Sequence, residues 1–212
     1  MSRQIYRELG PQGLASRTTT EWDDRTVAML SELLRSTGAR QILDVGCGYG
    51  RIAIPLVQQG YLVRGIDVSP RMMAACRENT LRVGVELDLE LGDATSLPYG
   101  DSQFDAVLCL WLTFNELMLP HEQSAAMSEM VRVLRPGGWA LLDGPPYLAG
   151  DSAPDELPPR NGPVDPATSA VGRRYAELAA EAGAERTELF VHDCPGRRRY
   201  FFRCWKPNSS EG

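Results

Sequence analysis

Histidine is scarce in this chain: His121 and His192 are the only two among 212 residues. Imidazole acid–base chemistry and imidazole metal sites have little to draw on. The five cysteines, Cys47, Cys76, Cys109, Cys194 and Cys204, are odd in number, widely spaced and form no Cys-x-x-Cys pair. That indicates neither a disulfide framework nor a zinc site, so no metal is expected and a reduced, cytoplasmic setting is the simplest reading. No window approaches the roughly 18 apolar residues of a membrane span, and the N-terminus lacks the apolar core of a signal peptide. Positive charge is short as well. Lys and Arg total 22 against 28 Asp and Glu, a net charge of −6, which argues against an electropositive nucleic-acid groove. The run Arg197-Arg198-Arg199 reads as a solvated hairpin turn.

What is present alternates. Short, partly β-branched runs at 41–45, 61–66, 85–91, 104–110 and 139–142 read as strands, the first apolar enough to be buried on both faces and the third alternating apolar with acidic residues. Helical patterns fall at 20–37, about 50–59, 70–83, about 121–134 and about 167–182. Ser69-Pro70 supplies an N-cap and an N1 proline for the third of these, and Pro136-Gly137-Gly138 reads as the stop of the fourth. Two alternating runs, Arg186 to His192 and Arg198 to Trp205, turn around Pro195-Gly196 as an antiparallel hairpin. The expectation is one α/β domain over residues 1–212: a Rossmann-like, doubly wound, seven-stranded, mostly parallel sheet closed by that hairpin. Residues 1–38 would be an irregular arm, or a short helix near Gln4 to Leu9, followed by a first full helix. Residues 144–166 hold 7 of the 15 prolines. They read as an inserted loop on the substrate side, outside helix or sheet interior.

In such a sheet a ligand lies over the carboxyl ends of the strands, where the strand order reverses. The turn after the first strand, Gly46-Cys-Gly-Tyr-Gly50, converges there with Asp67, Asp93 and the segment after Leu110. A dinucleotide-binding turn needs Gly-x-Gly-x-x-Gly. Here the spacing is Gly-x-Gly-x-Gly, and Asp44 stands two residues before the first glycine. A carboxylate there repels a pyrophosphate and suits a ligand carrying a cationic amine. Asp67 can accept from ribose hydroxyls in either class of cofactor, and Asp93 is placed to accept from an exocyclic adenine amine.

With these motifs the sequence resembles the class I S-adenosylmethionine-dependent methyltransferases. The resemblance rests on Leu43-Asp-Val-Gly-Cys-Gly-Tyr-Gly50, Gly65-Ile-Asp-Val-Ser-Pro70, Gly92-Asp-Ala-Thr-Ser-Leu-Pro98, Phe104-Asp-Ala-Val107 and Arg132-Val-Leu-Arg-Pro-Gly-Gly138, in the family's order across roughly residues 20 to 205. It implies that S-adenosyl-L-methionine is the cofactor and S-adenosyl-L-homocysteine the product. By position, Asp44, Gly46, Cys47 and Gly48 would surround the methionine part and Asp67 would hold the ribose. Val68 would pack on adenine, Asp93 and Ala94 would meet its edge, and the Leu110 carbonyl would face the amine.

The acceptor is a different matter. Asp143-Gly-Pro-Pro-Tyr147 resembles the [Asp/Asn]-Pro-Pro-Tyr motif of enzymes that methylate bases in nucleic acids, but it follows the fifth strand instead of the fourth and carries an inserted Gly144. With the acidic charge, this favours a small-molecule acceptor, apolar or aromatic, over nucleic acid or membrane. Trp111, Phe114, Tyr147, Tyr6 and Trp22 offer aromatic surface for it, although Trp22 sits on the helical stripe and reads as core. Asn115 and Glu116 lie in the segment that lines an acceptor pocket in the family. His121 reads as a surface residue at a helix start and His192 as structural, so no catalytic base is assigned.

Overall fold

The apolar run at residues 42–45 forms the middle of the sheet. The computed structural model, which describes residues 11, 20–144, 162–194 and 197–208, sets β1 (Gln41–Val45) between β2 (Leu62–Asp67) and β4 (Phe104–Cys109), parallel to both. Parallel β3 (Asp88–Leu91) extends the sheet beyond β2, and parallel β5 (Leu134–Gly144) lies beyond β4. Antiparallel β8 (Arg197–Trp205), β7 (Arg186–Cys194) and β6 (Gly162–Val164) complete the order β3-β2-β1-β4-β5-β8-β7-β6. The order reverses between β1 and β4, as a doubly wound sheet requires.

Alternation along each strand divides the core. Leu43, Val107, Ala140 and Phe202 pack with Met127 and Met130 of α4 (Pro120–Val133) and Tyr175 of α5 (Ala170–Glu181). Their neighbours Ile42, Ala106, Leu108, Trp139, Leu141 and Phe201 pack the other way, on Leu30 and Leu34 of α1 (Thr20–Thr37) and Leu56 of α2 (Ala53–Gln58). Leu30 and Leu34 are fully buried, each contributing about 1.5–3 kcal/mol by removal from water. Helix α3 (Pro70–Val83) starts as its sequence dictates, with Ser69 Oγ accepting from the Met72 N–H.

The structure moves several boundaries. An eighth strand, β6, joins the seven expected; it lies at the sheet edge, where the missing N–H of Pro163 breaks no interior ladder. The second helix is shorter than 50–59 because Gly50 to Ile52 form a turn, which leaves Pro55 in the first turn of α2. Pro136-Gly137-Gly138 does not separate helix from strand, since β5 already begins at Leu134 opposite Phe104. There the Gly137 N–H donates to the Lys206 carbonyl at 3.1 Å and the Lys206 N–H donates to Gly138 at 2.9 Å. The expected short helix at Gln4 to Leu9 lies outside the described residues, as do 145–161. Among the described residues no helix is long and apolar enough to cross a membrane, no cluster could hold a metal ion, and Cys47, Cys76, Cys109 and Cys204 are free.

Candidate functional site

The turn after β1 is pinned from beneath by β2. The Gly46 and Cys47 N–H groups both donate to the Ile66 carbonyl, at 2.7 and 3.1 Å. Asp67 then works with both oxygens: Oδ2 accepts the Gly48 N–H at 2.9 Å and Oδ1 the Ser69 N–H at 2.8 Å. Its carboxylate therefore ties the glycine turn to the start of α3. Gly46 has φ +73, and a Cβ there would collide with the Thr113 side chain from the far side of the site. Gly48, at φ +56, faces open space instead; both conformations favour glycine.

All nine residues expected to hold a cofactor, Asp44, Gly46, Cys47, Gly48, Asp67, Val68, Asp93, Ala94 and Leu110, line one cavity over the carboxyl ends of β1 and β4. Asp44 is 3% exposed, and among the described residues no donor bonds its carboxylate. Burial, and then the negative charge of Asp67, push its pKa up to about 7, while Arg51 draws it back down. Burial also raises the pKa of Asp67, against the lowering effect of its bonds to Ser69, Gly48 and Val68. Two crowded carboxylates with too little solvation make a site that a cation relieves. Asp93 Oδ1 is engaged by the Thr95 N–H at 2.9 Å and the Thr95 hydroxyl at 2.8 Å, so it shapes the turn after β3 while facing the cavity. The Leu110 carbonyl accepts the Thr113 hydroxyl at 2.7 Å and the Thr113 N–H at 3.3 Å, which closes the turn after β4. Cys47 is buried, and the neighbouring Cys76 thiol together with burial holds its pKa well above the usual thiol range, so it is packing and not a nucleophile.

Around Trp111 the structure gathers partners that sequence reasoning did not place. Arg51 lines the cavity; its Nη2 donates to Asp23 on α1 at 2.8 Å, and its guanidinium carbon lies 3.8 Å from the Trp111 ring centre. Trp111 and Leu112 follow β4 in the left-handed conformation, φ +61 and +65, at a cost of about 1–3 kcal/mol each for residues that carry a Cβ. Asp143 Oδ1 accepts the Leu112 N–H at 2.8 Å. Asp143 also forms an ion pair with Arg199, and the two side chains are 4% and 2% exposed. The reading of Arg197-Arg198-Arg199 as a solvated turn therefore fails at Arg199, whose position on β8 shares a face with buried Phe201. The same pairing commits Asp143 to the interior, which removes it from any role borrowed from the Asp-Pro-Pro-Tyr motif.

The acceptor-side expectations divide. Trp111, Glu116 and Leu117 line the cavity, whereas Asn115 does not. Phe114 is fully buried and packs edge-on against Tyr175 at 5.2 Å, so it belongs to the core. Trp22, expected in the core, is half-buried and lies nearly parallel to Trp111 at 6.5 Å. His121 is exposed on α4 and His192 sits on β7; neither lines the cavity. Tyr6 and Tyr147 fall outside the described residues. Asp143–Arg199 and Arg51–Asp23 join positions 56 and 28 residues apart, which no local motif announces. The signal available was the strand period of two, which puts Arg199 on the face of Phe201 and Trp205.

Comparison with known proteins agrees with this geometry. Residues 42–138 match the family model described as a methyltransferase domain. Methyltransferase GfsG of Streptomyces halstedii is 36% identical over 121 residues, 56% of this chain and 42% of that protein. Half or less of the length of each such curated relative is matched. Among solved structures, magnesium protoporphyrin IX methyltransferase (ChlM) from Synechocystis PCC 6803 with bound SAM superposes with a TM-score of 0.67 at 17% identity, over 97% of both chains. The [4+2]-cyclase SpnF superposes at 0.65 with 22% identity, over 88% of this chain and 81% of its own. Residues 42–138 with their glycine turn are thus similar to a methyltransferase domain, and the chain shares the fold of class I S-adenosylmethionine-dependent methyltransferases, one of them solved with bound SAM.

Proposed function

We propose that this protein transfers a methyl group from S-adenosylmethionine to a small-molecule acceptor by in-line displacement. The observation that carries the reading is Asp44, a buried carboxylate on the cavity wall with no donor among the described residues and a pKa near 7. A ligand with a cationic amine answers that need; a pyrophosphate aggravates it. Arg51, which lines the same cavity, supplies the opposite charge, so the pair suits the zwitterionic amino-acid end of the donor. In this reading Gly46, Cys47 and Gly48 run along the methionine chain with the Leu110 carbonyl at its amine. Asp67 accepts from the ribose, Val68 packs on adenine, and Asp93 with Ala94 meets the adenine edge.

When bound, the donor supplies a methyl group on a sulfonium that already carries its leaving group, so orientation is the protein's main contribution. Trp111, Glu116 and Leu117 form the acceptor side of the wall and favour an acceptor with an apolar or aromatic face. The net charge of −6 supports a small molecule over nucleic acid. Four free cysteines support a reducing, cytoplasmic setting.

A second reading keeps the cofactor and drops methyl transfer, in favour of other chemistry or a sensing role. It is favoured by the fold shared with SpnF, which is a cyclase, and by a cavity lining that includes neither histidine. Titration calorimetry with S-adenosylhomocysteine and, separately, NADH tests the cofactor; binding of NADH alone overturns both readings. Incubation with methyl-labelled S-adenosylmethionine and a metabolite pool separates them, since only the first transfers label.

A further inference from the structure

The buried ion pair Asp143–Arg199 lies outside the cavity lining yet touches Trp111 of that lining and the adjoining Leu112. Asp143 takes the backbone N–H of Leu112 at 2.8 Å, and the Arg199 guanidinium carbon lies 3.9 Å from the Trp111 ring centre. Arg199 Nη1 also donates to Thr26 Oγ1 on α1 at 2.6 Å, and that hydroxyl donates on to the Trp22 carbonyl at 2.7 Å. Trp111 and Leu112 carry side chains in a conformation that disfavours them, so something outside the loop must hold it. Downstream the effect reaches the cofactor turn, because Thr113 returns to the Leu110 carbonyl and its side chain abuts Gly46. Stability alone is a poor account of the pair, since a buried ion pair gives little advantage over apolar residues of the same size.

We propose that Asp143 and Arg199 are positioning residues of the site: together they hold Trp111 and Leu112 in the left-handed conformation and so set the acceptor-side wall against the glycine turn. Neither touches the reacting groups; both act through Trp111, Leu112 and Thr113. This rests on reading the cavity as the S-adenosylmethionine site.

The test compares the full chain with the double variant Asp143→Leu/Arg199→Met, which removes both charges together and leaves neither buried without its counter-ion. Thermal unfolding reports folding, calorimetry reports S-adenosylhomocysteine affinity, and near-ultraviolet circular dichroism, referenced to Trp111→Phe, reports the Trp111 ring. The double variant is expected to unfold cooperatively, to lose the Trp111 band and to bind about tenfold more weakly. Adding Leu112→Gly, which adopts the conformation unaided, should restore part of the affinity. Wild-type affinity with the Trp111 band intact overturns the proposal. Should the double variant fail to fold, Arg199→Lys decides: it keeps a charge beside Asp143 but loses the flat contact on Trp111. A reduced band and weaker binding support the proposal, and no change in either overturns it. Should the wild type not bind S-adenosylhomocysteine, the cofactor reading falls, and the Trp111 band alone decides the positioning role.

Discussion

The Arg51 guanidinium rests on the Trp111 ring, 3.8 Å from its centre, while Asp23 holds it from α1 at 2.8 Å. Its charge is thereby fixed on the cavity wall close enough to Asp44 to oppose the rise in that residue's pKa. If Arg51 meets the donor's carboxylate, Arg51→Met should weaken S-adenosylhomocysteine by about 1.5–3 kcal/mol, the worth of a hydrogen bond to a charged group. It should leave 5′-methylthioadenosine, which lacks the amino-acid end, unaffected. Equal losses for the two ligands would mean that Arg51 only braces Trp111.

Asp44 makes binding depend on pH. Its pKa is raised from 3.8 to about 7, and a cationic ligand selects the ionised form, so affinity should rise with pH through about 7 and level off above it. At pH 6 binding should release a proton, seen as a dependence of the calorimetric heat on buffer ionisation enthalpy. Stability follows the opposite sign. The folded state binds more protons than the unfolded chain between about 4 and 7, so stability from this group is full below 4 and is lost as pH rises through 7. The free protein should therefore melt at a lower temperature at pH 8 than at pH 5.5, with the contrast reduced in Asp44→Asn.

In the proposed reading Asp67 would carry two duties. Its carboxylate already holds the Gly48 and Ser69 N–H groups, so Asp67→Ala should cost about 1–3 kcal/mol of S-adenosylhomocysteine affinity and lower the melting temperature as well. A folded variant with unchanged affinity would remove Asp67 from the ribose site.

Gly46→Ala should abolish detectable S-adenosylhomocysteine binding. The added Cβ meets Thr113 at a backbone φ of +73, and relief requires the wall to move off the turn. Wild-type affinity in this variant would show that the wall yields freely.

That the nine residues proposed for the cofactor would line one cavity was legible because their placement is local. Gly46, Gly48, Asp44, Asp67 and Asp93 sit at strand ends, and a parallel sheet brings strand ends together by topology alone. The acceptor half was not, because its residues meet across the antiparallel part of the sheet and the first helix. Nothing near Arg199 in sequence names Asp143, and nothing near Arg51 names Asp23. Phe114 and Trp22 were interchanged for a related reason: a short 3₁₀ turn over Thr113–Glu116 faces Phe114 inward, and only the path of the loop decides which aromatic turns to the core. The same dependence on strand phase hid Arg199, whose two arginine neighbours suggested solvent.

The placement of Arg199 on β8 also sets an order of events. During synthesis the glycine turn emerges roughly 8–30 seconds before Arg199 does, at about 5–20 residues per second. In that interval the parallel strands can form while Asp143 has no counter-ion and the wall behind Trp111 has no brace. A chain interrupted just before β8 would keep every glycine and carboxylate of the cofactor turn and still lack a finished pocket. The ribosome delivers the binding motif early; the last strand decides when it becomes a binding site.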